Sequence, residues 1–309
     1  MKSLRESLLD GDLVDKTDEI IKDNIKHFLK NTYIGHAHCE ISKEPNKDGK
    51  YEVSSTKGII IVKNKNINSL TNGMFIWSTV NGSFEVLYCN SLTSLKGAPK
   101  EVGGDFFCSG CDYLESLKGS PEKVGQDFYC DYNKSLKSLE GTPKEVGRNF
   151  HCSSCDSLES LKGAPEKVSG VFNCSYCDSL KSLEGAPKVV GRDFYCYSCK
   201  SLKTLKGAPQ IINRDFYCYK CDSLKSLEGA PKEVGGSFYC YTCDSLKSLE
   251  GAPKKVGESF YCSNCVSLIS LKGAPEKVGG DFDCSDCFNK LFTIKDVKKI
   301  SNVKGEIKC

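Results

Sequence analysis

From residue 91 to residue 288 the apolar positions of the chain return on a fixed beat of 22 residues. In the unit "SLTSLKGAPKEVGGDFFCSGCD" (91–112), one leucine column runs from Leu92 to Leu268 and a second from Leu95 to Leu271. Behind them come Gly97 to Gly273, a branched position from Val102 to Val278 (Ile212 once), Phe106 to Phe282 and Cys108 to Cys284. Pro99, Pro121, Pro143, Pro165, Pro187, Pro209, Pro231, Pro253 and Pro275 keep the spacing without a slip, and polar residues fill the gaps. A period of this length marks one small unit stacked many times, because a single unit cannot bury its apolar face alone.

Phe106 and Cys108 are two residues apart, which places both side chains on one face of a strand. "DFFCS" is therefore predicted as a short strand with Phe and Cys inward. Cys111, Leu114 and Leu117 follow at intervals of three, as in a loose turn returning over the core, and Gly-Ala-Pro forces a bend. Strands of successive units would align in parallel, about 4.8 Å apart. Degenerate units extend the register: Phe84, Cys89 and Leu92 before the first proline, and Val62, Ile67 and Leu70 one period earlier still. Beyond the last regular unit, "KGEIKC" repeats "GGDFDC" with Ile307 and Cys309 in the Phe and Cys columns, after an insertion of three residues.

The first 57 residues follow a different pattern. "DKTDEIIKDNIKHFLKNTY" sets Ile21, Ile25, Phe28 and Leu29 on one helical face, and "GHAHCEIS" and "KYEVSS" read as two strands around "NKDG". Residues 1–57 are expected to form an amino-terminal cap, 58–288 the stack, and 289–309 a degenerate closing unit.

These columns resemble the leucine-rich repeat family. Its strand pattern, L-x-x-L-x-L-x-x-(N/C)-x-x-L, aligns with Phe106, Cys108, Cys111 and Leu114 and does so in unit after unit. Its first leucine falls on Gly103, a departure, with Val102 one place early in the core instead. The resemblance implies a curved solenoid with a parallel β-sheet on its concave face. The units are too short and too rich in Gly and Pro for long helices, so turns or short 3₁₀ segments are expected on the convex face, beside a small α+β cap.

The cysteines admit two readings. The C-x2-C pairs, 18 residues apart, match zinc-ribbon spacing. Against that, the first cysteine of each pair is in register with the core Phe, and Asn133 replaces a second cysteine, as the repeat family allows and a four-thiolate site does not. Charges also alternate between units, as in Glu115, Lys137, Glu159 and Lys181, or Lys118, Glu140, Lys162 and Glu184. Neighbouring coils gain from that pattern, whereas independent zinc modules would not. A buried ladder of free thiols is the favoured reading, with no cofactor.

The 43 basic residues against 40 acidic ones, net +3, give no case for a nucleic-acid partner. No stretch is long and apolar enough to span a membrane. The charged start "MKSLRESLLDGDLV" makes a poor secretory signal, so a cytoplasmic location is expected.

Candidate function lies on the outward face of the strands. One outward column holds Phe107, Tyr129, His151, Asn173, Tyr195, Tyr217, Tyr239, Tyr261 and Asp283; two places on lie Tyr197, Tyr219 and Tyr241; before the Phe lie Asp193 and Asp215. Tyrosines supply large contact area at low entropic cost, so this patch is the expected binding surface, although cross-strand packing alone also favours them. No glycine-rich phosphate loop and no G-x-S-x-G nucleophile motif is present, and His36, His38 and Cys39 in "GHAHC" make only a sparse metal cluster. His151 stands where other units carry tyrosine. A non-enzymatic, monomeric or weakly oligomeric module that binds a protein is the leading expectation. The alternatives are a targeting solenoid for an activity in residues 1–57, and an assembly component. The repeat wording also resembles proteins of bacteria and their phages, which implies a role between phage and host.

Overall fold

Each 22-residue unit closes one coil of a parallel β-solenoid and contributes two strands to it, such as Glu101–Val102 and Phe106–Phe107. The computed structural model describes residues 11–62, 66–71, 73–288 and 291–309. The start of the segment read above as a poor secretory signal lies outside them.

The Phe-side ladder is one continuous sheet of twelve strands, from Ile59–Val62 to Ile307–Lys308. Phe stacks on Phe from coil to coil, as in Phe150 on Phe128 and Phe172. The backbone continues the ladder beyond the two-residue strand: Phe106 N, Cys108 N and Gly110 N each donate to the next coil. Phe, Cys and both leucine columns are buried throughout and form one core. The sequence had marked one strand per coil. The second exists because Val102 and its equivalents turn inward just before the glycine bend and pair in their own right.

That Val-side ladder breaks into sheets of six, three and four strands. One break falls between Glu145–Val146 and Lys167–Val168. In this column a Cβ on Gly147 or Gly191 would lie 2.0 Å from the carbonyl oxygen of the preceding coil. Ser169 occupies the column, and its hydroxyl sits 2.5 Å from the oxygen of Gly147. A side chain stands here where most coils carry glycine, although Asn213 fills the same column in a coil that keeps its pairing with the one before it.

Two columns solve the turns. Gly119 to Gly273 have φ between +86° and +98° and lie so close to the preceding coil that a Cβ would meet backbone within 2.8 Å. The second turn is left-handed in each coil from Tyr88 to Asp286, with φ of 53° to 59° at Tyr88, Tyr132, Ser154, Tyr176, Ser198, Lys220, Thr242, Asn264 and Asp286, and with Gly110 completing the column. It ends the outward run of the strand and returns the next residue, the second cysteine, to the core.

At the amino-terminal end, α1 (Gly11–Thr32) buries Ile25 and Leu29 and sets Ile21 and Phe28 against the same core, on the face read from the sequence. β1 (Cys39–Ile41) pairs antiparallel with β2 (Tyr51–Ser55), which joins β4 (Phe75–Val80) in the Val-side sheet. Tyr33 and Trp77 pack edge to face at 5.3 Å, and Trp77 meets Phe84 at 5.7 Å, joining cap to stack.

The register of the first coil differs from the expectation. Ile59 of β3 (Ile59–Val62), not Val62, pairs with Phe84 of β5 (Phe84–Leu87), and Val62 is exposed. This coil is three residues longer than the beat, so simple subtraction misplaces its strand, although Ile67 and Leu70 are buried as expected. The last coil has the same extra length: Ile307 pairs with Phe282, as read. Its insertion forms α2 (Ile294–Ile300), which the sequence pattern did not signal and which Thr293 and Asp296 close with a capping box.

Candidate binding face

The residue between the inward Phe and Cys must point outward, so every coil lays one side chain on the face beyond the Phe-side sheet. Stacking in register turns these into continuous ladders. Phe107 and Tyr129 stack at 4.4 Å, and Tyr129 and His151 at 4.6 Å. Tyr195, Tyr217, Tyr239 and Tyr261 form an unbroken run with centroid steps of 4.5, 4.5 and 4.9 Å. Beside them Tyr197, Tyr219 and Tyr241 stack at 4.5 Å steps, and Tyr195 and Tyr217 meet them edge on. All ten candidate binding residues thus fall on one face, seven tyrosines forming a double ladder over four coils.

The ring spacings also give the direction of curvature. Equivalent atoms of successive coils are separated by the local step of the stack. Inward Phe rings from Phe106 to Phe260 step by 5.1–5.5 Å, whereas the outward rings step by 4.4–4.9 Å. The step shortens from core to outer face, so the tyrosine side is concave.

The acidic column has a role that the sequence reading missed. Asp193 Oδ1 accepts the backbone N–H of Asp215 at 3.1 Å, and Asp215 Oδ1 accepts that of Ser237 at 2.7 Å. Asp105, Asp127 and Asn149 do the same one coil apart. These side chains tie coil to coil, and the recurrence of Asp, Asn or Ser at one position of the period was the available signal. Tyrosine hydroxyls use the second oxygen: Tyr217 donates to Asp215 at 2.8 Å and Tyr129 to Asp127 at 3.0 Å. Burial and the Asp127 carboxylate push the Tyr129 hydroxyl up to about 12, and burial raises Tyr195, Tyr197, Tyr217, Tyr219, Tyr239 and Tyr241. At neutral pH these seven phenols are protonated. Burial lowers the His151 imidazole against the opposing pull of Asp131 and Asp127, so this histidine serves as a neutral ring in the stack.

The cysteines line the core as free, buried thiols, apart from half-buried Cys39 and exposed Cys309. Cys155, Cys177, Cys199, Cys221, Cys243, Cys265 and Cys287 each donate to the carbonyl of the first cysteine one coil below, at 3.1–3.3 Å. Stacked this way they form rows, and among the described residues no group of three or more His, Cys, Asp or Glu could hold a metal. His36 and His38 lie in a single 3₁₀ turn, where His36 Nδ1 contacts the carbonyl of Tyr33. The alternating charges bridge between coils, as in Glu140–Lys162 at 2.9 Å and Glu159–Lys181 at 3.6 Å. No described helix is long and apolar enough to cross a membrane.

On this coil geometry the protein is a leucine-rich-repeat-like solenoid. No family model and no curated protein matches the chain. Among solved structures it is similar to a leucine-rich repeat protein from Bacteroides ovatus ATCC 8483, at 13% identity, covering 88% of this chain and 98% of that one, with a TM-score of 0.23.

Proposed function

We propose that the protein is a non-enzymatic binding module that grips a protein partner with the concave face. The observation that carries this reading is the double tyrosine ladder from Tyr195 to Tyr261, which gathers on one side of the curve. Stacked rings cover one another's faces, so the ladder offers a partner ring edges and phenolic hydroxyls, not flat platforms. Tyr129 and the carboxylates of Asp193 and Asp215 extend the same face. Residues 11–57 share the hydrophobic core of the first coils, which supports their reading as a cap over that of a separate effector. A setting between bacteria and phages rests on the repeat wording alone.

Affinity capture with two triple variants tests the proposal. Replacing Tyr195, Tyr217 and Tyr239 by Ser removes rings and hydroxyls; replacing them by Phe keeps the stack and removes only the hydroxyls. A partner held by the native chain and lost with the Ser variant, while the fold is intact by circular dichroism, supports the site. Equal capture by all three proteins overturns it.

A further inference from the structure

The sulfur atoms of Cys284 and Cys309 contact each other directly, at 3.2 Å. They directly follow the last two strands of the Phe-side sheet in the same register, one step beyond the Asp283–Lys308 pair. Adjacent parallel strands lie about 4.8 Å apart, inside the Cα separation that a disulfide spans. Access separates this pair from the rest of the ladder. Cys309 is exposed and Cys284 lies beneath it, whereas the thiols of the coils before them are buried and many donate to backbone carbonyls.

We propose that Cys284 and Cys309 form a redox-closed staple, oxidised by a small-molecule disulfide of the glutathione type, that fastens the last coil to the stack. The Cys309 thiolate attacks one sulfur of the small disulfide and releases one small thiol, leaving a mixed disulfide on Cys309. Cys284 loses its proton to solvent and attacks the Cys309 sulfur, expelling the second small thiol. Two protein thiols and one small disulfide thus become one protein disulfide and two small thiols. The bond encloses α2 and ties Ile307–Lys308 to Phe282–Asp283, so the oxidised form adds a covalent tie to a coil that is otherwise held by strand pairing in the two ladders. Thiol–disulfide exchange needs the thiolate, and burial raises both thiols, so closure speeds up by about tenfold per pH unit through the mildly alkaline range.

The test treats the full chain with glutathione disulfide at several pH values and maps cysteine-linked peptides by mass spectrometry. The expected result is a 284–309 crosslink, two fewer titratable thiols, and slower amide exchange at Ile307 and Lys308 in the oxidised form. Cys309→Ser, at an exposed position that leaves folding untouched, should abolish all three changes. Glutathione remaining on Cys309 with no crosslink, or a bond between two copies through Cys309 or Cys39, would overturn the proposal.

Discussion

The side-chain amide of Asn133 donates to the carbonyl oxygen of Cys108, 25 residues earlier, at 2.8 Å. The thiol of Cys155 makes the equivalent contact with Cys130 at 3.2 Å, across the same 25 residues. Asn and Cys are thus interchangeable at this position because both carry a donor that reaches a buried carbonyl. The repeated second cysteine satisfies backbone polarity in the core, and its metal-like spacing follows from the coil length.

Asn133 does more than the thiols, since it also donates to Cys130 and accepts from the Cys111 N–H. Asn133→Ala should leave these buried groups unpaired and cost at least about 2 kcal/mol. Asn133→Cys should cost less, about 1 kcal/mol, because one donor returns. Urea unfolding followed by circular dichroism measures the order; an alanine variant as stable as native would contradict it.

Substitutions at the two left-handed columns should have opposite signs. At Gly185, φ is +91° and an added Cβ would lie 2.5 Å from the Lys162 nitrogen, so Gly185→Ala should destabilise by at least about 2 kcal/mol. Thr242, a branched residue at φ 54°, has the reverse problem. Thr242→Gly relieves strain and should stabilise by about 0.5 kcal/mol, net of the entropy of glycine. Thermal melts of the two variants should move in opposite directions.

Alkaline pH should unravel the ladder. Burial raises the thiols of Cys155, Cys199 and Cys265 from 9.0 to about 12, and those of Cys152, Cys196 and Cys240 well above 9.0. Folded values above the unfolded one mean that stability is complete below about pH 9 and is lost as pH climbs toward the folded values. Each such thiol removes about 1.4 kcal/mol per pH unit within that window. The urea midpoint should stay level from pH 6 to about 8 and fall steeply above 9; a midpoint unchanged at pH 10 would refute a buried thiol ladder.

Ser169→Gly should close the gap between Glu145–Val146 and Lys167–Val168. With the hydroxyl and Cβ removed, Lys167–Val168 can approach Glu145–Val146 as the other coils do. Hydrogen exchange at the amides of Lys167 and Val168 should slow by about tenfold or more, and unchanged exchange would mean that another contact holds the gap open.

Much of this was legible without coordinates, because a translational stack copies each sequence position into a straight row. Phe106 and Cys108 alternate with outward Phe107 by strand geometry alone, so the tyrosine column could be named before its spacing was known. The places that misled were those where the beat breaks: Val62 yielded to Ile59 through a coil of extra length, and α2 formed inside an insertion too short to show a helical pattern.

The sequence by itself determined the period, the inward and outward columns and the charge pairs, since all of these depend on local alternation repeated at fixed intervals. Tertiary structure alone decided the second ladder at Val102, the gap at Ser169, the concave bend read from ring spacings and the Cys284–Cys309 contact. Each depends on distances between coils, and those are set by which atoms meet across the stack, not by the order of residues within one turn of it.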